Sequence, residues 1–185
     1  MNSQLDKHEH EHSHRRSLNN IMSSQPDKHE RPHPWSVNNI MIVCVGNICR
    51  SPVAEALLKD RLPGRTIWSA GLHAVVGHGA DSTALEIARQ LDSLDLSAHR
   101  ARQHAGWMCS RADLVLVMEA GHQQELERLY PLVRGKVHRL GEFGPQGSFD
   151  IADPYRQPRA AFEAAHVAIA LGVQEWVRRI NLVSR

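Results

Sequence analysis

Two kinds of apolar pattern alternate along most of the chain. Short, nearly continuous apolar runs predict four buried β-strands, at residues 40–45, 66–69, 114–118 and 137–140. Between and after these runs, apolar residues recur every three or four positions, which predicts helices near 53–62, 84–91 and 122–129 and a long helix near the C-terminus. Asp81 or Ser82 could cap the second of these helices.

Repeated strand–helix units indicate a parallel sheet. We therefore predict an α/β fold, a single domain with a four-stranded parallel sheet flanked by helices on both faces. Ligands of such sheets bind beyond the carboxyl ends of the strands, where the loops after different strands can meet.

The loop between the first predicted strand and the first predicted helix reads Val43-Cys44-Val45-Gly46-Asn47-Ile48-Cys49-Arg50-Ser51-Pro52. Gly46 lets the backbone approach a bound group, and Asn47 can hold a tight turn through hydrogen bonds. Ser51 and Pro52 predict the start of the helix, with Ser51 as the N-cap and Pro52 as the first helical residue. Such a loop presents backbone N–H groups and the positive end of a helix, an arrangement suited to phosphate or another oxyanion.

Cys44 and Arg50 bracket this loop and carry its candidate chemistry. Loop amides, the helix terminus, the guanidinium of Arg50 and the hydroxyl of Ser51 should each favour the thiolate form of Cys44, which is the nucleophilic form. The planar fork of Arg50 matches two phosphoryl oxygens at once. A buried cysteine beside a surface arginine is an equal alternative for these two residues alone; the complete run favours the site.

This run resembles the signature of the low-molecular-weight protein tyrosine phosphatases. The resemblance extends from residue 38 to about 182 and includes Ser69-Ala70-Gly71-Leu72 and Asp153-Pro154-Tyr155. Residues 77–81 and 153–156 are most similar to the bacterial branch associated with capsule and exopolysaccharide synthesis. The resemblance implies hydrolysis of phosphotyrosine through a phosphocysteine intermediate without a metal or other cofactor. It also implies a phosphotyrosine protein as partner, specifically a bacterial tyrosine autokinase.

The resemblance also implies the roles of individual residues. Cys44 would be the nucleophile, Arg50 would bind the phosphoryl group, and Asp153 would be the general acid that protonates the leaving tyrosyl oxygen. The implied phosphate-binding residues are Val45, Gly46, Asn47, Ile48, Cys49, Arg50 and Ser51. Without the resemblance, Asp153 would be interpreted as part of an ordinary Asp-Pro turn, and Asp150 is a nearby alternative acid.

Two further positions would form the wall of the substrate pocket. Tyr155 matches a family tyrosine that contacts the substrate ring, although a core or surface tyrosine is the alternative. Animal members place a second aromatic residue near the position of Val75 and a third at that of Arg156. Their absence here predicts a wider pocket.

The three cysteines have different expected roles. Cys49 could trap an oxidised Cys44 as a reversible disulfide, or it could simply pack in the core. Cys109 is interpreted as structural. Three cysteines do not make a disulfide framework, and a thiolate catalyst is kept active by a reducing compartment, so we expect a cytoplasmic location.

Composition divides the chain near residue 36. Residues 1–36 are polar and rich in histidine, and they contain an imperfect repeat in which residues 4–9 recur as 25–30 and 17–22 recur as 36–41. We predict a disordered N-terminal extension over residues 1–36 and a catalytic domain over residues 37–185. The alternating histidines at 8, 10, 12 and 14 could instead bind a transition metal weakly.

Other function classes fit the sequence less well. The net charge of +2 argues against a nucleic acid partner, and no apolar run is long enough to predict direct membrane insertion. An arsenate reductase of similar fold would need further redox cysteines, for which Cys109 is poorly placed. A phosphate-binding module without turnover would be expected to lack a nucleophile or an acid, whereas this chain has candidates for both.

Overall fold

The computed structural model describes residues 36–183, in which strands and helices alternate. The strands are β1 (Asn39–Cys44), β2 (Thr66–Gly71), β3 (Leu114–Val117) and β4 (Val137–Arg139). The helices are α1 (Arg50–Arg61), α2 (Ser82–Asp92), α3 (Gly106–Arg111), α4 (Ala120–Leu129) and α5 (Arg159–Val183). A turn of 3-10 helix covers Pro131–Val133.

The four strands form one parallel sheet in the order β2-β1-β3-β4. In the central strand β1, Ile40 and Ile42 pack into a core with α1, α2 and α5, whereas Met41 and Val43 pack into a second core with α3 and α4. Both faces of the strand are therefore buried, which is why its sequence is continuously apolar rather than alternating. The predicted single-domain α/β fold is confirmed.

Most predicted elements agree with the structure to within two residues at each end. β2 runs two residues further than predicted, to Gly71, whose N–H donates to Arg102 O at 2.9 Å and whose carbonyl accepts from His104 N–H at 3.0 Å. The helix α3 was not predicted, because its six residues are too few for an apolar period and only Met108 and Cys109 are buried.

The predicted start of the first helix is wrong. The chain is already helical at Arg50, its N-cap is Cys49, and Ser51 lies inside the first turn. Ser51 does not cap the helix, because its hydroxyl lies 2.9 Å from the Sγ atom of Cys44 instead. The cap predicted for the second helix is present, since the Asp81 carboxylate accepts the N–H groups of Thr83 and Ala84.

The predicted N-terminal extension lies largely outside the residues that the structure describes. Of the N-terminal extension over residues 1–36, only Ser36 is among the described residues. Within residues 36–183, no helix combines the length and the apolar character that crossing a membrane requires.

Candidate active site

The loop after β1 places Cys44 at the floor of a cavity. Its side chain is 2% exposed, and its Sγ atom lies 2.9 Å from Ser51 Oγ and accepts the N–H of Asn47 at 3.3 Å. Both neighbours can donate a hydrogen bond to the sulfur. The loop therefore surrounds this sulfur with donors.

Asn47 holds the loop in its turned shape. Its backbone is left-handed, with φ of 55°, and its side chain is fully buried. The amide nitrogen donates to Ser51 Oγ at 2.9 Å and to Ser69 Oγ at 2.8 Å, while the amide oxygen accepts the N–H of Arg102 at 2.9 Å. One side chain thus joins α1, β2 and the segment before α3.

Three side chains, Ser69, Glu55 and His99, brace this network, and none of them was predicted as a site residue. Ser69 donates to the buried carboxylate of Glu55 at 2.5 Å, which extends the chain of hydrogen bonds from Cys44 into α1. His99 Nε2 lies 2.7 Å from the carbonyl oxygen of Asn47. Nothing near His99 in the sequence indicates this contact with the loop.

Arg50 is the most buried charged side chain of the site, at 1% exposure. Its Nη1 donates to the carboxylate of Glu119 and to the carbonyl oxygen of Ile151, the latter at 2.8 Å, and its Nη2 lies 2.7 Å from Asp153 Oδ2. Its Nε is buried and has no hydrogen-bond partner among the described residues. A buried donor without a partner is costly, and an oxyanion in the cavity would supply the missing acceptor.

Glu119 was not predicted as part of the site. It follows β3 by two residues, and its carboxylate also lies 3.5 Å from His122 Nε2. The signal that could have identified it is position, because ligand-binding residues gather at the carboxyl ends of parallel strands. A glutamate there is otherwise indistinguishable in sequence from a solvent-exposed one.

The loop between β4 and α5 brings Asp153 to the same cavity as Cys44. This cavity has a volume of about 160 Å³. It is lined by Cys44, Val45, Gly46, Ile48, Cys49, Arg50, His73, Val75, Asp153 and Tyr155. The carboxylate of Asp153 is 43% exposed and so can meet both solvent and a bound group. Asp150 is not among the lining residues; its carboxylate accepts from Ala120 N–H at 3.1 Å and Arg139 at 3.2 Å.

Tyr155 and Val75 stand at the mouth of the cavity on opposite loops. The ring of Tyr155 is stacked by the guanidinium of Arg156, which lies 5.1 Å from the ring centroid. Val75 is held by a hydrogen bond from its N–H to Gly46 O at 3.0 Å. The two side chains leave an aromatic wall on one side and a smaller aliphatic wall on the other.

All three cysteines are reduced and buried. Burial raises the pKa of Cys49 to about 12, and the negative charge of Asp81 adds to this effect. Cys109 belongs to the core on the opposite face of the sheet from Cys44. Among residues 36–183, no three His, Cys, Asp or Glu side chains are grouped so that they could hold a metal ion.

Comparison with known proteins identifies the family. Residues 39–183 match the family model described as low molecular weight phosphotyrosine protein phosphatase. The chain is 48% identical over 145 residues to a protein of Ralstonia nicotianae named probable low molecular weight protein-tyrosine-phosphatase EpsP, covering 78% of this chain and 97% of that protein. The chain belongs to this family of low molecular weight phosphatases.

Solved structures show the same fold with related chemistry. One is Vibrio vulnificus Wzb in complex with benzylphosphonate, with 41% identity and a TM-score of 0.73 over 77% of this chain and 99% of that one. Another is the YwlE arginine phosphatase from Geobacillus stearothermophilus, with 30% identity and a TM-score of 0.72 over 77% of this chain and 92% of that one.

Proposed function

We propose that this protein hydrolyses phosphotyrosine in proteins through a phosphocysteine intermediate. The observation that carries the proposal is the floor of the cavity, where Cys44 Sγ is surrounded by donors beside a buried guanidinium with an unpartnered Nε. A nucleophilic sulfur and an oxyanion clamp in one cavity are the two requirements of cysteine-dependent phosphoryl transfer.

In the first step, the thiolate of Cys44 attacks phosphorus and the bond from phosphorus to the tyrosyl oxygen breaks. Arg50 and the backbone amides of residues 45–51 hold the phosphoryl oxygens, while Ser51 and Asn47 keep the sulfur in position. Glu119 and the carbonyl of Ile151 occupy Nη1 of Arg50 and so fix the plane of its guanidinium. A fixed plane favours two parallel hydrogen bonds to the phosphoryl group.

Asp153 is the proposed acid of the first step and the base of the second. In the structure its carboxylate is paired with Arg50, and an arriving phosphoryl dianion would compete for that guanidinium. In its protonated form the Asp153 carboxyl can donate to the leaving tyrosyl oxygen. The resulting carboxylate takes a proton from the water that hydrolyses the phosphocysteine.

The physiological partner we propose is a bacterial tyrosine autokinase of exopolysaccharide synthesis, in the cytoplasm. The similarity to the Ralstonia protein named EpsP and to Wzb supports this choice, as does the resemblance of residues 77–81 and 153–156 to the bacterial branch. The cytoplasmic location is supported by the need to keep Cys44 reduced.

The alternatives have less support. The family model and the names of the relatives favour a phosphatase over an arsenate reductase, and Cys109 lies across the sheet from Cys44. A module that binds phosphate without turnover does not require a carboxylate at the mouth of the cavity. The arginine phosphatase among the similar structures makes phosphoarginine a substrate that the test must include.

A substrate panel tests the reaction class. Peptides carrying phosphotyrosine, phosphoserine, phosphothreonine or phosphoarginine in the same sequence, and arsenate with a dithiol, are offered to the wild type and to Cys44→Ser. We expect metal-independent turnover of phosphotyrosine alone, abolished in Cys44→Ser because a hydroxyl is a far poorer nucleophile. Preference for phosphoarginine, turnover of arsenate, or full activity of Cys44→Ser would reject the proposal.

Substrates with different leaving groups test which residue is the general acid. Asp153→Asn should slow hydrolysis of a phosphotyrosine peptide by roughly 10²–10⁴-fold, whereas an activated aryl phosphate, whose leaving group needs no proton, should lose much less. Asp150→Asn is the matched control, because Asp150 is bonded to Ala120 and Arg139 and should leave both rates nearly unchanged. If Asp150→Asn slowed hydrolysis of the phosphotyrosine peptide and Asp153→Asn did not, the general acid would be Asp150.

A further inference from the structure

A second groove lies on the flank of the sheet, outside the catalytic cavity. It has a volume of about 210 Å³ and is lined by Thr66, Trp68, Arg102, Trp107, Met108 and Arg111. Trp107 is 66% exposed, which is unusual for the largest apolar side chain. Together with the half-buried ring of Trp68 it forms an aromatic surface, and aromatic residues are enriched where proteins bind one another.

The charge of the groove is entirely positive. Arg102 and Arg111 are exposed, none of the lining residues is acidic, and within residues 36–183 neither guanidinium forms an ion pair. Arginine and tryptophan are the residue types that contribute most to protein interfaces. The groove therefore suits a ligand that combines carboxylates with an apolar side chain.

The groove also borders an open backbone edge. β2 is the outermost strand, and on its outer side the described residues pair with it only at Gly71, through Gln103. In a parallel ladder alternate residues bond to the same side, so Ile67 directs its N–H and carbonyl outward as Gly71 does. An unpaired strand edge can accept an extended peptide as an additional strand.

We propose that this groove binds an extended acidic segment of a partner protein, which adds to the free half of the β2 edge. Its carboxylates pair with Arg102 and Arg111, and an apolar side chain packs between Trp68 and Trp107. The open edge favours a peptide over a nucleic acid, because only a peptide can continue the hydrogen-bonding pattern of a strand. The proposal is independent of the chemistry at Cys44.

Fluorescence anisotropy with the full chain tests this. The probe is a labelled short peptide in which glutamate alternates with valine around a central phenylalanine. We expect saturable binding that weakens with salt, and a loss of at least about tenfold in affinity in Trp107→Ala and in Arg111→Glu. The matched controls are Leu132→Ala, at a side chain that is 98% exposed and does not line the groove, and Arg128→Glu on α4, which should both bind like the wild type.

Two altered peptides test the individual contacts. Replacing glutamate by lysine should abolish binding, and methylating the backbone nitrogens should weaken it by removing the donors that pair with β2. Hydrolysis of an aryl phosphate by Trp107→Ala and Arg111→Glu should match the wild type, which shows that the variants fold.

Several results would overturn the proposal. These are no saturable binding by the full chain, equal losses in the control variants, equal binding of the lysine peptide, or tighter binding of an oligonucleotide or of anionic vesicles. A dimerisation of the chain that is lost in Trp107→Ala, with no peptide binding, would assign the groove to a second copy instead.

Discussion

At the scale of single residues, Asn47 shows how a loop is held in a shape that its backbone alone disfavours. A left-handed backbone is uncommon for any residue but glycine, although asparagine tolerates it best. The three hydrogen bonds of the Asn47 side chain offset this strain and fix the positions of Ser51 and Ser69 around the nucleophile.

Substitution of Asn47 should therefore lower activity through both backbone and side chain. Asn47→Ala loses three buried hydrogen bonds, each of which costs about 1–3 kcal/mol when a partner is left unsatisfied, and it keeps the strained φ. Asn47→Gly loses the same bonds but adopts that φ freely. We expect Asn47→Gly to unfold at a higher temperature than Asn47→Ala, with kcat strongly reduced in both.

Thermal unfolding and steady-state kinetics on the two variants provide the measurement. If Asn47→Gly had the same kcat as the wild type, the backbone conformation at residue 47 would be sufficient for activity, and the side-chain hydrogen bonds would have no part in positioning the sulfur. Equal unfolding temperatures would argue that the left-handed backbone carries no strain.

Cys49 lies beside Cys44, but its thiol is hard to deprotonate because its pKa is raised to about 12. Peroxide should oxidise the Cys44 sulfur to a sulfenic acid, with the peroxide reduced to water. The Cys49 thiol would then displace water to form the Cys44–Cys49 disulfide. Since the attacking group is a thiolate, we expect this step to be slow at neutral pH and to accelerate as the pH rises.

Mass spectrometry after mild oxidation follows this chemistry. The wild type should lose two hydrogens and recover activity with dithiol, whereas Cys49→Ser should gain oxygen and recover a smaller fraction of its own starting activity. Cys109→Ser is the control and should behave like the wild type, because Cys109 lies on the other face of the sheet. A disulfide between Cys44 and Cys109 would assign Cys49 a packing role only.

At the scale of elements, the segment after β2 packs directly against the loop after β1. The carbonyls of Cys44, Val45 and Gly46 accept three successive backbone hydrogen bonds from this segment. Gly71 permits the approach, because a Cβ atom there would lie 2.5 Å from Val45 O. No real Cβ atom tolerates that distance, so the two segments must separate if the glycine is replaced.

Gly71→Ala should therefore displace the loop that carries Cys44. We expect a loss of stability of about 1–3 kcal/mol, typical of overpacking, together with a fall in kcat/KM. Gly121→Ala is the control, because a Cβ atom there meets nothing within 4 Å and alanine is favoured in a helix. Urea unfolding measures the stability of the two variants, and steady-state kinetics measures their kcat/KM. Equal stability and equal kcat/KM in the two variants would contradict this prediction.

The elements that the sequence predicts are those whose burial leaves a regular pattern. β3 and residues 40–44 of β1 are apolar throughout because both faces of these strands are covered, and the helices α1 and α5 repeat their apolar residues at helical spacing. α3 leaves no such pattern with two buried residues. The start of α1 was misplaced because the hydroxyl of Ser51, which its position before Pro52 predicts as a helix cap, lies 2.9 Å from Cys44 Sγ instead.

The residues of the site differ in the same way, since some could be predicted from the sequence and others could not. Cys44 and Arg50 were predicted from the loop that they bracket, and Asp153 from the family resemblance; all three line one cavity. Glu119, Ser69 and His99 were not predicted, since their contribution lies in contacts with residues far away in the chain. Such contacts depend on the order of strands in the sheet, which local sequence does not encode.

At the scale of the whole molecule, the parallel sheet brings the segments that carry the site together at the carboxyl ends of its strands. Cys44 ends β1, the loop after β2 carries Val75, Glu119 follows β3, and Asp153 lies between β4 and α5. The sheet is thus a scaffold on which the site depends for its geometry, and any condition that loosens the fold will also reduce activity.

Acid is such a condition, because two histidines, the half-buried His104 and the buried His122, have lowered pKa values in the fold. Burial lowers the pKa of His104, against an opposing effect of Glu125, and also lowers that of His122. The unfolded chain, with ordinary histidines near pKa 6.5, then binds more protons than the folded chain in the range below that value. Stability is therefore present above about pH 6.5 and is lost as the pH falls toward the lowered folded pKa.

His104→Phe should reduce this acid sensitivity. The ring of His104 packs edge-on against Tyr130, with centroids 5.6 Å apart, and phenylalanine can keep that contact without binding a proton. Calorimetry should show a fall in Tm between about pH 7.5 and about pH 5.5 in the wild type, across the ordinary histidine pKa. The fall should be smaller in His104→Phe, even if its Tm at the higher pH is lowered by the lost hydrogen bond to Tyr130. An equal fall in both proteins would mean that protonation of His104 does not contribute to acid unfolding.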